Sequence, residues 1–130
     1  MAIRKLLQPD SLPTPAACYS QGIETSGKRL VFVAGQLPVG KTGAIVGDGD
    51  FRSQVTQVFE NIKAVLGDAK ASFDDVVKLN IYVTDVKNLP VVQEVRSGYL
   101  TRPYPATTLV EITALANPKA LVEIEAIAVI

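Results

Sequence analysis

The sequence contains no histidine, no tryptophan and a single cysteine, Cys18. Without histidine the chain cannot build a Ser-His-Asp or Cys-His triad, a His-ligated zinc site or a ribonuclease centre with a histidine acid and base. Proton transfer therefore falls to Glu, Asp, Lys, Tyr or ordered water. One cysteine cannot form an internal disulfide and suits a reducing compartment.

Net charge and long apolar runs are also missing. Thirteen Lys and Arg residues balance thirteen Asp and Glu residues, and a neutral chain lacks the basic surface that supplies most non-specific nucleic-acid affinity. No run approaches the roughly 20 apolar residues of a membrane span, and only Leu6 and Leu7 follow Arg4 and Lys5, which is too few for a signal peptide. We therefore expect a cytoplasmic protein with neither a nucleic-acid nor a membrane partner.

The length of 130 residues suits one domain, residues 1–130, that buries most of its apolar surface. Apolar residues make up 48% of the chain and charged residues only 20%. So short a chain is left with apolar surface that a monomer hides poorly, so the composition favours self-association.

Apolar periodicity predicts an α+β fold in which two α-helices pack on one face of a mixed β-sheet. The predicted strands cover residues 2–7, 20–25, 29–36, 77–84, 106–112 and 121–130. The first helix is predicted to begin at Phe51 after the N-cap Asp50 and to end at Gly67, and Asn88 is expected to cap the second. The helical stripes consist of Val55, Val58, Phe59, Ile62, Val65 and Leu66, and of Leu89, Val92, Val95 and Tyr99.

Two carboxylates share one face of the last predicted strand. A period of two places Glu123 and Glu125 on one side and Val122, Ile124 and Ala126 on the other. Such carboxylates are either solvated rim charges or acids in a partly desolvated cleft, where one can serve as a general base. From the residue pattern alone, the solvated charge or lysine partner is the commoner outcome.

The two C-terminal strands carry a family resemblance. Pro105, Ala106 and two threonines precede residues 110–112 (VEI), and residues 122–128 read VEIEAIA. This pattern resembles the C-terminal signature of the RidA (YjgF) family of reactive-intermediate deaminases. Further matches, spread over nearly the whole chain, are Tyr19, Ser20, Gln21, Gly35, Gln36, Gln54, Asn61, Leu66, Asp75, Val76, Val77 and Lys78.

The resemblance implies a RidA-like, chorismate-mutase-like fold and a homotrimer whose sheets face inward, with clefts between subunits that take a small-molecule metabolite. It also implies that Glu123 is the catalytic residue that orients water. The substrate-binding positions it implies are Tyr19, Ala34, Gly35, Gln93, Thr107 and Thr108. We expect no cofactor and no metal, because residues 47–50 match a phosphate or calcium loop only weakly.

Several pocket positions depart from the family pattern: Ala34 stands for a serine, Gln93 for an asparagine and Leu109 for a cysteine or small polar residue. Thr107 is the departure with the largest consequence. Members that deaminate 2-imino acids, the tautomers of enamines such as 2-aminoacrylate, have an arginine directly after Pro-Ala, where this chain has Thr107. A guanidinium pairs with both oxygens of a substrate carboxylate, whereas a threonine offers one neutral donor. Arg102 and Lys119 are the candidate substitute cations.

Three functions stay open. The first is hydrolysis of imines or enamines with release of ammonia, in which 2-imino acid deamination is in doubt. The second is a trimer that binds a small ligand without catalysis. The third, an endoribonuclease or translation inhibitor, comes only from activities attributed to relatives, and the absent histidine and zero net charge weigh against it.

Overall fold

A four-stranded mixed sheet forms the centre of the molecule in the computed structural model, which describes residues 3–130. The elements are β1 (Ile3–Leu7), β2 (Gly22–Ser26), β3 (Leu30–Gln36), α1 (Phe51–Asp68), β4 (Val76–Val83), α2 (Leu89–Ser97), β5 (Ala106–Glu111) and β6 (Val122–Val129). The sheet order is β3-β6-β4-β5, with β4 and β5 parallel and the other pairs antiparallel. Both helices cover one face, so the predicted α+β fold is confirmed.

Strand β6 shows how the sequence pattern defines two faces. Val122, Ile124 and Ala126 are buried against the helices, whereas Glu123 and Glu125 are half-buried on the other face. The inner residues join the α1 stripe in one core, because every second side chain of a strand points to the same side. The face without helices is called the open face below, and the other the helix face.

The first two strands form a sheet of their own, which differs from the single sheet that was predicted. Within residues 3–130, β1 and β2 pair only with each other, antiparallel, and one isolated bridge, between Ser20 and Ala106, connects this region to β5. β3 instead pairs with β6, and the amides of Lys28 and Arg29 both donate to the Ile130 carbonyl, at 2.9 and 3.0 Å. The predicted strand start at Ala2 lies outside the described residues.

The helix ends follow the sequence signals only in part. Asp50 caps α1 as predicted, since its Oδ1 accepts from the Ser53 amide at 3.2 Å. The helix does not end at Gly67, because the left-handed conformation falls at Lys70 (φ 59°). Asn88 occupies the N-cap position of α2, but its side chain makes no capping bond. Within residues 3–130, neither helix combines the length and apolarity that membrane crossing requires.

The turn at residues 47–50 precedes α1 and contacts the segment before β6. Gly47 has φ +79°, and a Cβ there would lie 2.7 Å from the Ser53 Cβ, so the turn requires glycine. Asp48 pairs with Lys119 at 3.4 Å, while Asp50 is committed to the helix cap. The buried Gln54 fastens this region, since its amide donates to the carbonyls of Gly47 and Lys119 and accepts from the Leu121 amide.

Candidate functional site

A cavity of about 310 Å³ opens on the helix face between α2 and β5. Three of the predicted substrate-binding residues, Tyr19, Gln93 and Thr107, line it. The full lining is Tyr19, Val86, Leu89, Gln93, Arg96, Thr107 and Leu109. The volume lies at the lower end of the range for small-molecule sites, so a metabolite of a few heavy atoms fits.

Local sequence spacing explains why these side chains meet. Gln93 and Arg96 are three residues apart on α2 and therefore share one side of the helix. Thr107 and Leu109 alternate on β5 and pair with the fully buried Leu79 and Ile81 of β4, so they point to the helix face.

Tyr19 and Thr107 are positioned by main-chain contacts beside the start of β5. The Ser20 amide donates to the Pro105 carbonyl at 3.1 Å, and the Ser20 hydroxyl donates to the Tyr104 carbonyl, which places the preceding Tyr19 at the cavity. The Thr107 hydroxyl donates to the Pro105 carbonyl at 3.2 Å. Because its one proton is used there, Thr107 presents an acceptor oxygen to the cavity rather than a donor.

Arg96 is the functional candidate that the sequence patterns did not identify. Its side chain is only 3% exposed, and its Nε has no hydrogen-bond partner. Burial lowers the pKa of Arg96 below its usual range, an effect that Cys18 and Tyr19 partly oppose. The available signal was helical spacing, since Arg96 lies four residues after the fully buried Val92 and so on the inner side of α2.

The two cations considered from the sequence lie elsewhere. Arg102 lines a separate cavity of about 300 Å³, where its guanidinium carbon is 5.6 Å from the centre of the Tyr104 ring. Lys119 pairs with Asp48 at the turn before α1. Neither residue lines the cavity that contains Thr107.

The predicted catalytic residue, Glu123, lies on the open face against Gly35. A Cβ at Gly35 would overlap the carboxylate, at 2.9 Å from Cδ and 3.2 Å from Cγ of Glu123. Gly35 is therefore required for space, which lets the glutamate lie across β3. Within residues 3–130 the Glu123 carboxylate accepts no hydrogen bond, so its oxygens are free for water or a substrate.

The neighbouring Glu125 differs in being held by two donors. The Tyr82 hydroxyl donates to its Oε1 at 2.8 Å and the Asn80 amide donates to the same oxygen at 2.9 Å. The hydrogen bond to Glu125 is the main reason why the pKa of Tyr82 is raised, with desolvation and the charges of Glu125 and Glu123 adding to it. Glu125 is therefore held in place by two hydrogen-bond donors, whereas Glu123 is not.

The remaining predicted substrate-binding residues also lie on the open face. Ala34 is exposed and lines a cavity of about 350 Å³ together with Lys78 and Glu125. Thr108 accepts a hydrogen bond from the Lys78 ammonium at 3.0 Å. Within residues 3–130, no group of three or more Cys, Asp or Glu side chains is arranged to hold a metal ion.

The predicted site residues and Arg96 thus lie in two groups, called half-sites below, on opposite faces of the sheet. Thr107 pairs with Leu79 on the helix face, whereas Glu123 pairs with Tyr82 on the open face. The helix-face half-site is Tyr19, Gln93, Arg96 and Thr107, and the open-face half-site is Ala34, Gly35, Thr108 and Glu123. The first can bind an anion, and the second can hold water and accept a proton, but one chain does not bring them together.

Comparison with known proteins identifies relatives over nearly the full length. A protein-family model described as Endoribonuclease L-PSP matches residues 10–130. A RutC family protein of Pyrococcus abyssi is 41% identical over 126 residues, which covers 96% of each chain. A 2-iminobutanoate/2-iminopropanoate deaminase of Dermatophagoides farinae is 31% identical, covering 100% of this chain and 99% of the relative. A 3-aminoacrylate deaminase, RutC, of Acinetobacter baylyi is also 31% identical, covering 96% and 97%.

Solved structures show the same fold. The crystal structure of YyfB, a protein of the conserved Rid family from Yersinia pestis, superposes with a TM-score of 0.90 at 32% identity and covers 98% of both chains. RidA from an Antarctic Psychrobacter species superposes with a TM-score of 0.74 at 38% identity, covering 98% of this chain and all of that one. The arrangement of two helices on a mixed sheet is therefore shared with these proteins.

Proposed function

Because the chain belongs to the endoribonuclease L-PSP (RidA/YjgF) family, we propose that it binds small reactive imines or enamines between subunits and hydrolyses them, releasing ammonia. The observation that carries this proposal is the cavity that gathers Tyr19, Gln93 and Thr107 beside β5. Two relatives are named as deaminases of 2-imino acids and of 3-aminoacrylate, which are small carboxylic acids.

The two half-sites require two copies of the chain. β5, which carries Thr107, is an edge strand, so a neighbouring subunit can present its open face to the cavity there. Leu30 and Phe32 on β3 are 65% and 69% exposed, which is apolar surface that a neighbour would cover. These features support a homotrimer in which Glu123 of one subunit completes the cavity of the next.

The proposed hydrolysis needs one base and no redox partner. Water bonds to the imine carbon while the Glu123 carboxylate accepts a proton from it. That proton passes to the imine nitrogen, which gives a carbinolamine. Glu123 then accepts the proton of the carbinolamine hydroxyl and returns it to nitrogen as the C–N bond breaks, so the C=O bond forms and ammonia leaves. For a 2-imino acid the carbonyl product is a 2-oxo acid. Glu123 suits this role because no hydrogen bond within residues 3–130 occupies its oxygens.

A ligand-binding trimer without catalysis is the second candidate, and Thr107 is the observation that favours it. The Thr107 hydroxyl donates to Pro105 and is not available to a substrate carboxylate. If that carboxylate has no other cation, binding of a 2-imino acid is weaker and turnover is lost.

Decay of freshly generated 2-aminoacrylate tests the proposal. We expect the wild type to accelerate imine decay and Glu123→Gln to lower this rate about 100-fold, as for loss of a general base. Glu125→Gln is the matched control on the same strand face, and its rate should stay close to the wild type. Equal rates for wild type and Glu123→Gln would contradict the assignment.

Two further outcomes distinguish the other functions. A wild type that has no effect on the imine, together with a Thr107→Arg variant that does, would support the ligand-binding trimer. RNA cleavage that persists after stringent purification would support the nuclease, against which the absent histidine and zero net charge argue. The single cysteine suits the reducing cytoplasm, which is our proposed location.

A further inference from the structure

Arg96 stands apart from every other charged residue of the described chain. Within residues 3–130 it is the only charged side chain that is more than nine-tenths buried. Its Nε lacks a hydrogen-bond partner, and its guanidinium forms no ion pair with a described residue. The guanidinium therefore lines the cavity with an enclosed, unpartnered Nε and no anion from residues 3–130 beside it.

The other two buried polar side chains are satisfied, which makes the contrast clear. Gln54 uses its amide nitrogen and oxygen on three main-chain groups, and the Ser20 hydroxyl donates to the Tyr104 carbonyl. A buried ionised group without a partner is strongly destabilising. Arg96 also lines the cavity, so an anion that enters it can supply the missing partner.

We infer that Arg96 binds the carboxylate of a small organic acid in this cavity, and so replaces a guanidinium at residue 107. A planar guanidinium pairs with both oxygens of a carboxylate, which Thr107 cannot do. Arg96 lies on α2 across the cavity from β5, so the cation comes from the helix rather than the strand.

The remaining lining specifies the rest of the ligand. Val86, Leu89 and Leu109 provide an apolar wall that fits a short aliphatic chain. The Thr107 oxygen, whose proton is donated to Pro105, can accept an N–H. A 2-imino or enamine acid with a short side chain carries the carboxylate, N–H and apolar chain that these groups match, and this ligand class rests on the proposed function.

Calorimetric titration of the intact protein with pyruvate tests the inference without turnover. We expect the wild type to bind pyruvate and to bind the neutral isostere pyruvamide much more weakly. Arg96→Met should weaken pyruvate binding at least ~30-fold, as for loss of charge-assisted hydrogen bonds. Arg96→Lys, which keeps the charge but loses the planar fork, should bind with intermediate affinity.

Arg102→Met is the matched control, because it removes an arginine from a different cavity. Its affinity for pyruvate should equal that of the wild type. Thermal melts provide the folding control: ligand-free Arg96→Met should melt at or above the wild type, because the variant removes an unpaired buried charge. Pyruvate should raise the melting temperature of the wild type but not that of Arg96→Met.

Several results would overturn the inference. They are no pyruvate binding by the wild type, equal affinity of wild type and Arg96→Met, equal affinity for pyruvate and pyruvamide, or a ligand-free Arg96→Met that melts far below the wild type. Failure of the proposed hydrolysis gives a different pattern, with Arg96-dependent pyruvate binding but no imine decay. Imine decay that depends on Glu123 but is unaffected by Arg96→Met would instead retain the function and reject the inference.

Discussion

The two faces of the sheet use charge in different ways. On the helix face, Arg96 is buried beside a cavity and forms no ion pair with any residue of the described part of the chain. On the open face, Lys78, Glu123 and Glu125 are half-buried, and Lys78 and Glu125 bond to neighbours on adjacent strands. One face therefore encloses a cation beside a cavity, and the other carries the carboxylates that we propose to act in the cavity of a neighbouring subunit.

The apolar residues of the two faces also differ in how far they are exposed to solvent. The helix face buries Ile124 and its neighbours completely, whereas the open face leaves Phe32 69% exposed. Removal of apolar surface from water is favourable in both cases. On the helix face it stabilises the folded chain, and on the open face it would stabilise an assembly of several chains. The helix face therefore stabilises the fold of one chain, whereas the open face is the side on which we propose that a neighbouring subunit packs.

We expect the largest loss of stability from a substitution in the core, and a matching substitution on the open face serves for comparison. Ile124→Ala should lower the free energy of unfolding by about 3 kcal/mol, because it leaves a cavity in a fully buried position. Phe32→Ser should instead weaken the assembly, so its effect in denaturant titrations should depend on protein concentration. A concentration-independent loss for Phe32→Ser as large as that for Ile124→Ala would mean that the open face is not an assembly surface.

Oligomers that mix two inactive variants test whether the two half-sites belong to different chains. Glu123→Gln lacks the open-face base and Arg96→Met lacks the helix-face cation, so each alone should keep about 1% of the wild-type rate. After the two are refolded together at equal amounts, about one quarter of the clefts pair an intact half from each chain, and activity should rise about 25-fold. A mixture no more active than the mean of the two variants would place both half-sites within one chain.

A substitution at Gly35 tests whether the Glu123 carboxylate needs the space that this glycine leaves open. Gly35→Ala should reduce imine hydrolysis about tenfold, because the new Cβ overlaps Glu123 and displaces the base. Stability should change little, since the glutamate can rotate away. Gly67→Ala is the control: its Cβ meets nothing within 4 Å, so the rate should be unchanged and the helix slightly more stable. If Gly35→Ala hydrolysed the imine at the wild-type rate, the space at Gly35 would not be needed for catalysis.

The smallest expected effect concerns Tyr99, which belongs to the helix face. Burial and then a hydrogen bond to Glu60 raise its pKa from 10.0 to about 12. Since the folded state favours the protonated phenol, the stability it contributes is complete below pH 10.0 and declines as the pH rises to about 12. Between these values the unfolding free energy of the wild type should fall more steeply than that of Tyr99→Phe. Parallel pH profiles from denaturant titrations would contradict this.

Much of the fold was predictable because the relevant signals are local. Alternation in β6 and the stripe of α1 depend only on the period of each element, and the buried residues agree with both. The end of α1 was less predictable, because Lys70 rather than Gly67 adopts the left-handed conformation. The pairing of β3 with β6 was not predictable from local signals, because it joins residues about 95 positions apart in the chain.

The candidate site was predictable only through residues that match a family pattern. Tyr19, Gln93 and Thr107 were grouped in that way, and the structure places them around one cavity. Arg96 was missed because a charged residue in a helix is usually solvated, and its spacing from Val92 was the only signal of burial.

The order of apolar and polar residues along the chain by itself determined the helices, the strands and the two chemically distinct sides of β6, because side-chain direction repeats with each element's own period. Tertiary structure alone decided that Arg96 is enclosed beside Thr107 and that Glu123 lies on the far side of the sheet. The burial of a side chain and the groups that it contacts depend on which elements pack against each other. Residues distant in sequence become neighbours only through that packing.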